Sequence, residues 1–287
     1  MSTPKHTLPN PTRRGLVRAA AGLAAAAGSG LGMGGAARAE IGAGATGKTV
    51  PAGADAAEPF WGVNQGGIVT PAQSHSYFAA LDLITTKRDD VVELLRVWTA
   101  AAARMTAGSP VGPIGGKPTL PSPDSGEALG LEPARLTLTF GFGAGLFAKD
   151  GKDRYGLAAR RPVALVDLPR FNGDQLVATG TGGDLSVQAC ADDPQIAFHA
   201  VRQLARLAYG VAGMRWAQAG FLPGYPAQET PRNLMGFKDG TSNPAAADPK
   251  AMAKFVWVAD EGPAWMQGGS YVVARRIRMA LEHWDRM

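Results

Sequence analysis

Short apolar or alternating apolar–polar segments recur along the chain, and segments of this length predict β-strands. The run Phe78-Ala79-Ala80-Leu81-Asp82-Leu83 is the clearest of them. The predicted strands, in chain order, cover residues 67–70, 76–85, 136–142, 184–190, 255–258 and 269–281.

Two segments show the three-to-four spacing of an amphipathic helix. Residues 87–105 form the first, with an apolar face that includes Val91, Leu94 and Trp98. The second begins at Asp192-Asp193-Pro194, where acidic residues and a proline suit the first turn, and its inner face includes Ile196 and His199. A Gly/Pro/Ser-rich segment, 106–130, predicts a long surface loop between these elements.

This strand–helix–strand order predicts an α+β fold of two ferredoxin-like units with antiparallel sheets, of the dimeric α+β barrel type. The first unit is expected at residues 59–212. Residues 213–287 would be the start of a C-terminal haem-binding unit, with too few elements to close a second sheet. Residues 40–58 are rich in glycine and alanine and predict a flexible mature N-terminus.

Positive charge is concentrated at the N-terminus. Residues 1–39 contain five basic residues and no acidic one, and the rest of the chain has 24 of each, so the net charge of +5 belongs to this leader. Charge therefore gives no support to nucleic-acid binding.

The leader resembles a Tat signal, with twin arginines at Arg13-Arg14, an uncharged run and a cleavage site at Ala37-Arg38-Ala39. A Sec signal or a basic tail remains open as an alternative.

Residues 232–244, with the sequence RNLMGFKDGTSNP, stand out as a tight loop. Gly236 and Gly240 bracket Asp239, and Asn243-Pro244 closes the segment. Such a turn holds a carboxylate beside backbone that a ligand could approach closely. Asp–Gly pairs are also common in turns without any function.

The segment Gly236-Phe237-Lys238-Asp239-Gly240 resembles the GxxDG motif of dye-decolorizing (DyP-type) peroxidases. The likeness is greatest to their exported branch, which includes the deferrochelatase/peroxidases of bacterial iron uptake. Further matching segments follow in the family's order and extend the resemblance over residues 59–286. They are residues 138–147, 183–191, 256–258, 263–265, 268–271 and 284–286.

The resemblance implies haem b as the cofactor and a site around Asp239. Asp239 would lie on the distal face of haem and carry a proton between the two oxygens of hydrogen peroxide. Gly240, Thr241 and Ser242 would line the haem edge, and Asn243 would orient Asp239 or a distal water.

The resemblance places the family's proximal histidine and distal arginine beyond Met287, so no metal ligand is expected among the residues given. His6 lies in the leader, and His75 is expected to be solvated. His199 is expected in helix packing or at the surface, and His283 in the core or at the surface. Cys190 is the single cysteine, is expected as a small core residue, and excludes an intrachain disulfide.

The function expected from the resemblance is a haem b peroxidase that uses hydrogen peroxide and a bulky organic electron donor. Two alternatives remain. The first is a deferrochelatase that releases iron from haem, as the partner of a periplasmic or membrane iron-uptake system. The second is an inactive fragment of such a protein. The expected location is the periplasm, or outside the cell in a host without an outer membrane, and the expected full-length form is a homodimer.

Overall fold

The computed structural model describes residues 56–114, 122–222 and 229–287. The predicted leader, 1–39, and most of the predicted mature N-terminus, 40–58, lie outside the described residues. Of the predicted loop 106–130, the described parts contain turns and bends after the first helix ends at Thr106, which confirms the prediction for those parts.

Four antiparallel strands form one sheet in the order β2-β3-β1-β4. The strands are β1 (His75–Leu83), β2 (Thr137–Phe142), β3 (Leu185–Ala191) and β4 (Ala212–Phe221). Helix α1 (Arg88–Thr106) connects β1 to β2, and α3 (Pro194–Leu207) connects β3 to β4. This is the βαββαβ order of a ferredoxin-like unit, and the predicted α+β fold is confirmed.

Successive residues of a strand lie on opposite faces of the sheet, and only one of these faces is buried. In β3, Leu185, Val187, Ala189 and Ala191 are buried, while the intervening residues are only half-buried. The buried residues pack beneath α1 and α3 in one hydrophobic core. Cys190 belongs to the other set, so it lies on the face away from the helices, and its predicted place in the core is wrong.

Both long helices begin and pack as their sequences predict. The Asp193 carboxylate caps α3 by accepting hydrogen bonds from the backbone N–H groups of Gln195 and Ile196. Trp98 of α1 is almost fully buried and donates from Nε1 to the carbonyl oxygen of Leu204 at 2.8 Å. This bond ties the two helices together above the sheet.

Three predicted strands are wrong. Residues 67–70 form a turn, in which Gly67 has a φ of 94° and its N–H donates to Thr70 Oγ1. Phe255 is the last residue of helix α4 (Pro249–Phe255), and residues 256–258 follow it without forming a strand. Residues 269–281 pair with no strand among the described residues. An alternating sequence is insufficient without a partner strand, because the hydrogen bonds of a β-ladder come from the neighbouring strand.

The remaining short helices are α2 (Ala144–Phe147) and α5 (Leu281–Trp284), with 3₁₀ turns at Ala158–Arg160, Ala178–Gly180 and Ala264–Met266.

The predicted boundary between residues 212 and 213 falls at the start of β4. This strand pairs with β1 from Ala212 to Phe221, so the first sheet continues beyond the expected end of its unit.

Among the described residues, no helix is both long enough and apolar enough to cross a membrane.

An ion network closes one end of the sheet. Asp184 is buried just before β3, and its carboxylate accepts hydrogen bonds from the Leu83 N–H, from Lys149 Nζ at 3.1 Å and from Arg154 Nη2 at 2.9 Å. Lys149 also binds Asp82 at 2.9 Å. Burial alone would lower the pKa of Lys149, but its hydrogen bonds to Asp82 and Asp184 raise that pKa above its usual value. The network fixes the loop that carries Lys149 and Arg154 against the sheet.

Candidate functional site

The loop that contains Asp239 is held by its own backbone. Arg232 pairs with Lys238 in an isolated β-bridge, and the Asp239 N–H donates to the Pro231 carbonyl oxygen at 3.0 Å. Gly236 and Gly240 have φ values of 83° and 92°, in the left-handed region that favours glycine. The loop therefore needs both glycines of the GxxDG segment in order to turn on either side of Asp239.

The side chain of Asn233 organises the loop from inside. Its Oδ1 accepts hydrogen bonds from the backbone N–H groups of Met235 and Phe237, at 3.0 and 3.1 Å. Its Nδ2 donates to Asp239 Oδ2 at 3.5 Å. Asn233 thus joins the turn to the carboxylate. The role expected of Asn243, to orient Asp239 or a distal water, stays a prediction. In the sequence, Asn233 could have been identified by its place six residues before Asp239, on the opposite arm of the loop.

Asp239, Gly240, Thr241 and Ser242 are brought together on one exposed surface of this loop. A side chain at Gly240 would meet the Asn243 amide, since an added Cβ would lie 2.8 Å from Asn243 Nδ2. Gly236 has open space around it. On the neighbouring side, the Phe237 ring contacts the ring of Trp284 edge-on, with 5.9 Å between centroids. Helix α5 therefore lies against the GxxDG loop.

These residues fit one side of a haem pocket. The loop presents a carboxylate, exposed backbone and aromatic rings, which are the groups that a flat, largely apolar ligand with charged edges would meet. Three histidines lie among the described residues. His75 lies in β1, His199 is buried on α3 with Nδ1 2.8 Å from Glu127 Oε2, and His283 is exposed on α5.

His199 belongs to a second cluster that the sequence reasoning missed. Its ring lies between the carboxylates of Asp124 and Glu127, which come from the loop after α1. Asp124 and Glu127 are three residues apart, but 72 residues separate Glu127 from His199. Only the packing of that loop on α3 brings the three side chains together, so no local pattern could have revealed the cluster.

Two family models match the chain. The N-terminal Dyp-type peroxidase model matches residues 65–222, and the C-terminal model matches residues 230–287. The chain therefore belongs to the Dyp-type peroxidase family, as its GxxDG segment predicted.

Particular relatives support this assignment. A deferrochelatase of Escherichia coli is 36% identical over 289 residues, which cover 98% of this chain and 66% of that protein. The crystal structure of a DyP-type peroxidase from Streptomyces coelicolor is 42% identical, with a TM-score of 0.71, and the match covers 82% of this chain and 60% of that one. Ferric DtpA from Streptomyces lividans is 41% identical with the same TM-score and the same coverage. The chain thus spans between about half and two thirds of the length of such relatives.

Proposed function

We propose that the protein is a haem b-dependent peroxidase of the DyP type, which reduces hydrogen peroxide and oxidises bulky organic donors. The observation that carries this proposal is the position of Asp239 on the ordered GxxDG loop of a chain that belongs to this family. Haem b would supply the iron at which hydrogen peroxide reacts. Gly240, Thr241 and Ser242 would contact the haem edge through backbone N–H groups and hydroxyls.

The proposed role of Asp239 is proton transfer. Its carboxylate would take a proton from one oxygen of hydrogen peroxide and deliver it to the other, so that the O–O bond can break and water can leave. An exposed loop position suits this role. The Asp239 carboxylate must contact the bound ligand, and the described residues do not enclose that ligand. Asn233 would act as a positioning residue, since its Nδ2 donates to Asp239 Oδ2.

The test is Asp239→Asn in the protein expressed from its natural reading frame. We expect haem absorption to be retained and the rate of reaction with hydrogen peroxide to fall by about 10²–10⁴-fold, the usual contribution of a positioned proton carrier. Stopped-flow absorption measures both. An unchanged rate in a variant that binds haem normally would remove Asp239 from the mechanism.

Asn233 offers a matched pair of variants. Asn233→Asp keeps an oxygen that can accept from the Met235 and Phe237 N–H groups but replaces the donor to Asp239 with a like charge. Asn233→Ala removes both interactions. If Asn233 positions Asp239, then Asn233→Asp alters the pH profile of the peroxide reaction while thermal unfolding stays close to wild type. If only Asn233→Ala lowers activity, and it does so in parallel with stability, the role of Asn233 is structural.

A deferrochelatase activity is the second candidate, because a relative of that name aligns with 98% of this chain. In this case the protein would release iron from haem and leave the porphyrin intact, as the partner of a periplasmic or membrane iron-uptake system. Incubation with haem, with and without hydrogen peroxide, separates the candidates. Free porphyrin and iron without donor oxidation would favour the deferrochelatase, and donor oxidation with intact haem would favour the peroxidase.

We also propose export through the Tat route to the periplasm, and a homodimer as the full-length form. The twin arginines and the Ala37-Arg38-Ala39 site support the route. Replacing Arg13 and Arg14 by lysine should leave the product in the cytoplasm with residues 1–39 retained. Normal processing of that variant at Ala39 would indicate the Sec route. Light scattering of the mature protein tests the dimer.

A further inference from the structure

A histidine and two carboxylates meet where the loop after α1 packs on α3. The side chains of His199, Asp124 and Glu127 expose only 5%, 2% and 18% of their surfaces. One ligand atom from each of the three residues lies within 4.8 Å of those from the other two. The cluster is on the helix side of the N-terminal unit, and it shares no residue with the GxxDG loop.

Glu127 fixes the proton of the imidazole. Its Oε2 lies 2.8 Å from His199 Nδ1, and its carboxylate also accepts hydrogen bonds from Ser125 and Arg202. A carboxylate that accepts hydrogen bonds from Ser125 and Arg202 also acts as the acceptor toward His199, so Nδ1 carries hydrogen. In the neutral ring, Nε2 then carries the free lone pair.

Nε2 of His199 has no hydrogen-bond partner among the described residues. The closest acidic atom is Asp124 Oδ2, at 3.6 Å, which is too far for a hydrogen bond. Asp124 is itself buried, and its carboxylate accepts from the N–H groups of Val111 and Gly126. In the part of the chain that the structure describes, Asp124 pairs with no lysine or arginine. A cation beside this carboxylate would offset part of the cost of its burial.

A cavity of about 220 Å³ lies beside the cluster. Both Asp124 and His199 line it, together with apolar side chains that include Met105, Leu136 and Ile196. His199, whose Nε2 has no hydrogen-bond partner among the described residues and whose side chain is more than nine-tenths buried, therefore lines a space that is open to a ligand.

We propose that Asp124 and His199 bind a divalent transition-metal ion of the Zn²⁺ class through Oδ2 and Nε2, with the remaining positions open to the cavity. Zn²⁺ lies about 2.0–2.1 Å from a histidine nitrogen and about 2.0–2.2 Å from a carboxylate oxygen. A separation of 3.6 Å between the two ligand atoms then corresponds to an angle of roughly 114–128° at the ion, somewhat wider than tetrahedral. Glu127 supplies the carboxylate that orients a metal-binding histidine from behind.

The test is calorimetric titration of the untagged full-length chain with Zn²⁺, with Co²⁺ as a spectroscopic probe of the same site. We expect one ion per chain, and loss of that binding in both His199→Gln and Asp124→Asn. Glu127→Gln should weaken it by about 10–100-fold, as is usual when the partner behind a ligand is removed. His75→Gln is the control, since His75 lies in β1 and is not part of the cluster.

Zn²⁺ should also raise the unfolding temperature of the wild type and of His75→Gln, because an ion that binds only the folded state stabilises it. It should not raise that of His199→Gln or Asp124→Asn. Either variant suffices if the other fails to fold. The proposal is overturned by absence of binding or by binding that neither variant reduces. It is equally overturned if NMR shows both His199 ring nitrogens protonated in excess Zn²⁺ at neutral pH, because a cationic imidazole would then be the partner of Asp124.

Discussion

Asp184 gives the sharpest test of how the N-terminal unit is held together, because its carboxylate is buried while its cationic partners reach the surface. Its side chain is 3% exposed, whereas those of Lys149 and Arg154 are 33% and 19% exposed. The change to test is Asp184→Asn, which keeps the size of the side chain and one acceptor for the Leu83 N–H. It removes the charge that both cations face.

The expected loss follows from these exposures. Removing one partner of a fully buried ion pair costs about 3–5 kcal/mol. Lys149 and Arg154 can regain some hydration in the variant, so the lower end of that range, about 3 kcal/mol, is expected. For a folded unit of this size, each kcal/mol shifts the unfolding temperature by about 2–4 °C, which gives a decrease of roughly 6–12 °C.

Urea unfolding followed by circular dichroism measures the free energy of unfolding, and a thermal scan measures the shift. Asp82→Asn is the matched control. Asp82 binds the same Lys149, and also Arg215, but its side chain is 29% exposed, so a loss of only about 1 kcal/mol is expected. Equal losses in the two variants would refute the reasoning, since burial would then not decide the cost.

Two further predictions concern the helix layer. The pKa of Glu127 is about 2 in the folded protein and near 4.5 in the unfolded chain, so its ionised form stabilises the fold above pH ~4.5 and this contribution is lost as the pH falls toward 2. The stability difference between wild type and Glu127→Gln should therefore shrink over that range in acid unfolding curves, and a constant difference would contradict the assignment. Trp98→Phe should lose about 2–3 kcal/mol in urea unfolding, because it removes the bond to the Leu204 carbonyl and leaves a space in the core. Trp61→Phe is the control, as Trp61 is 71% exposed and should change little, and similar losses would count against the role given to Trp98.

The sequence by itself determined the elements whose signals are local. The Asp193-Pro194 start of α3 needs only the residues of one helical turn, and it lies where the pattern predicts it. The alternation in β3 separates a buried from a half-buried set within a single strand. The GxxDG loop is equally local, because the conformations of Gly236 and Gly240 and the bonds of Asn233 all lie within residues 231–243. Family resemblance then gave Asp239 its proposed role.

Tertiary structure decided whatever depends on residues far apart in the chain. Residues 269–281 have the composition of a strand, but a strand exists only where a second strand pairs with it, and no strand among the described residues pairs with this segment. The side on which Cys190 lies was set by which face of the sheet the helices cover. The cluster of Asp124, Glu127 and His199 arises only because the loop after α1 folds onto α3. The burial of the cluster and its place beside a cavity are properties of that packing, and neither is written in the spacing of the three residues.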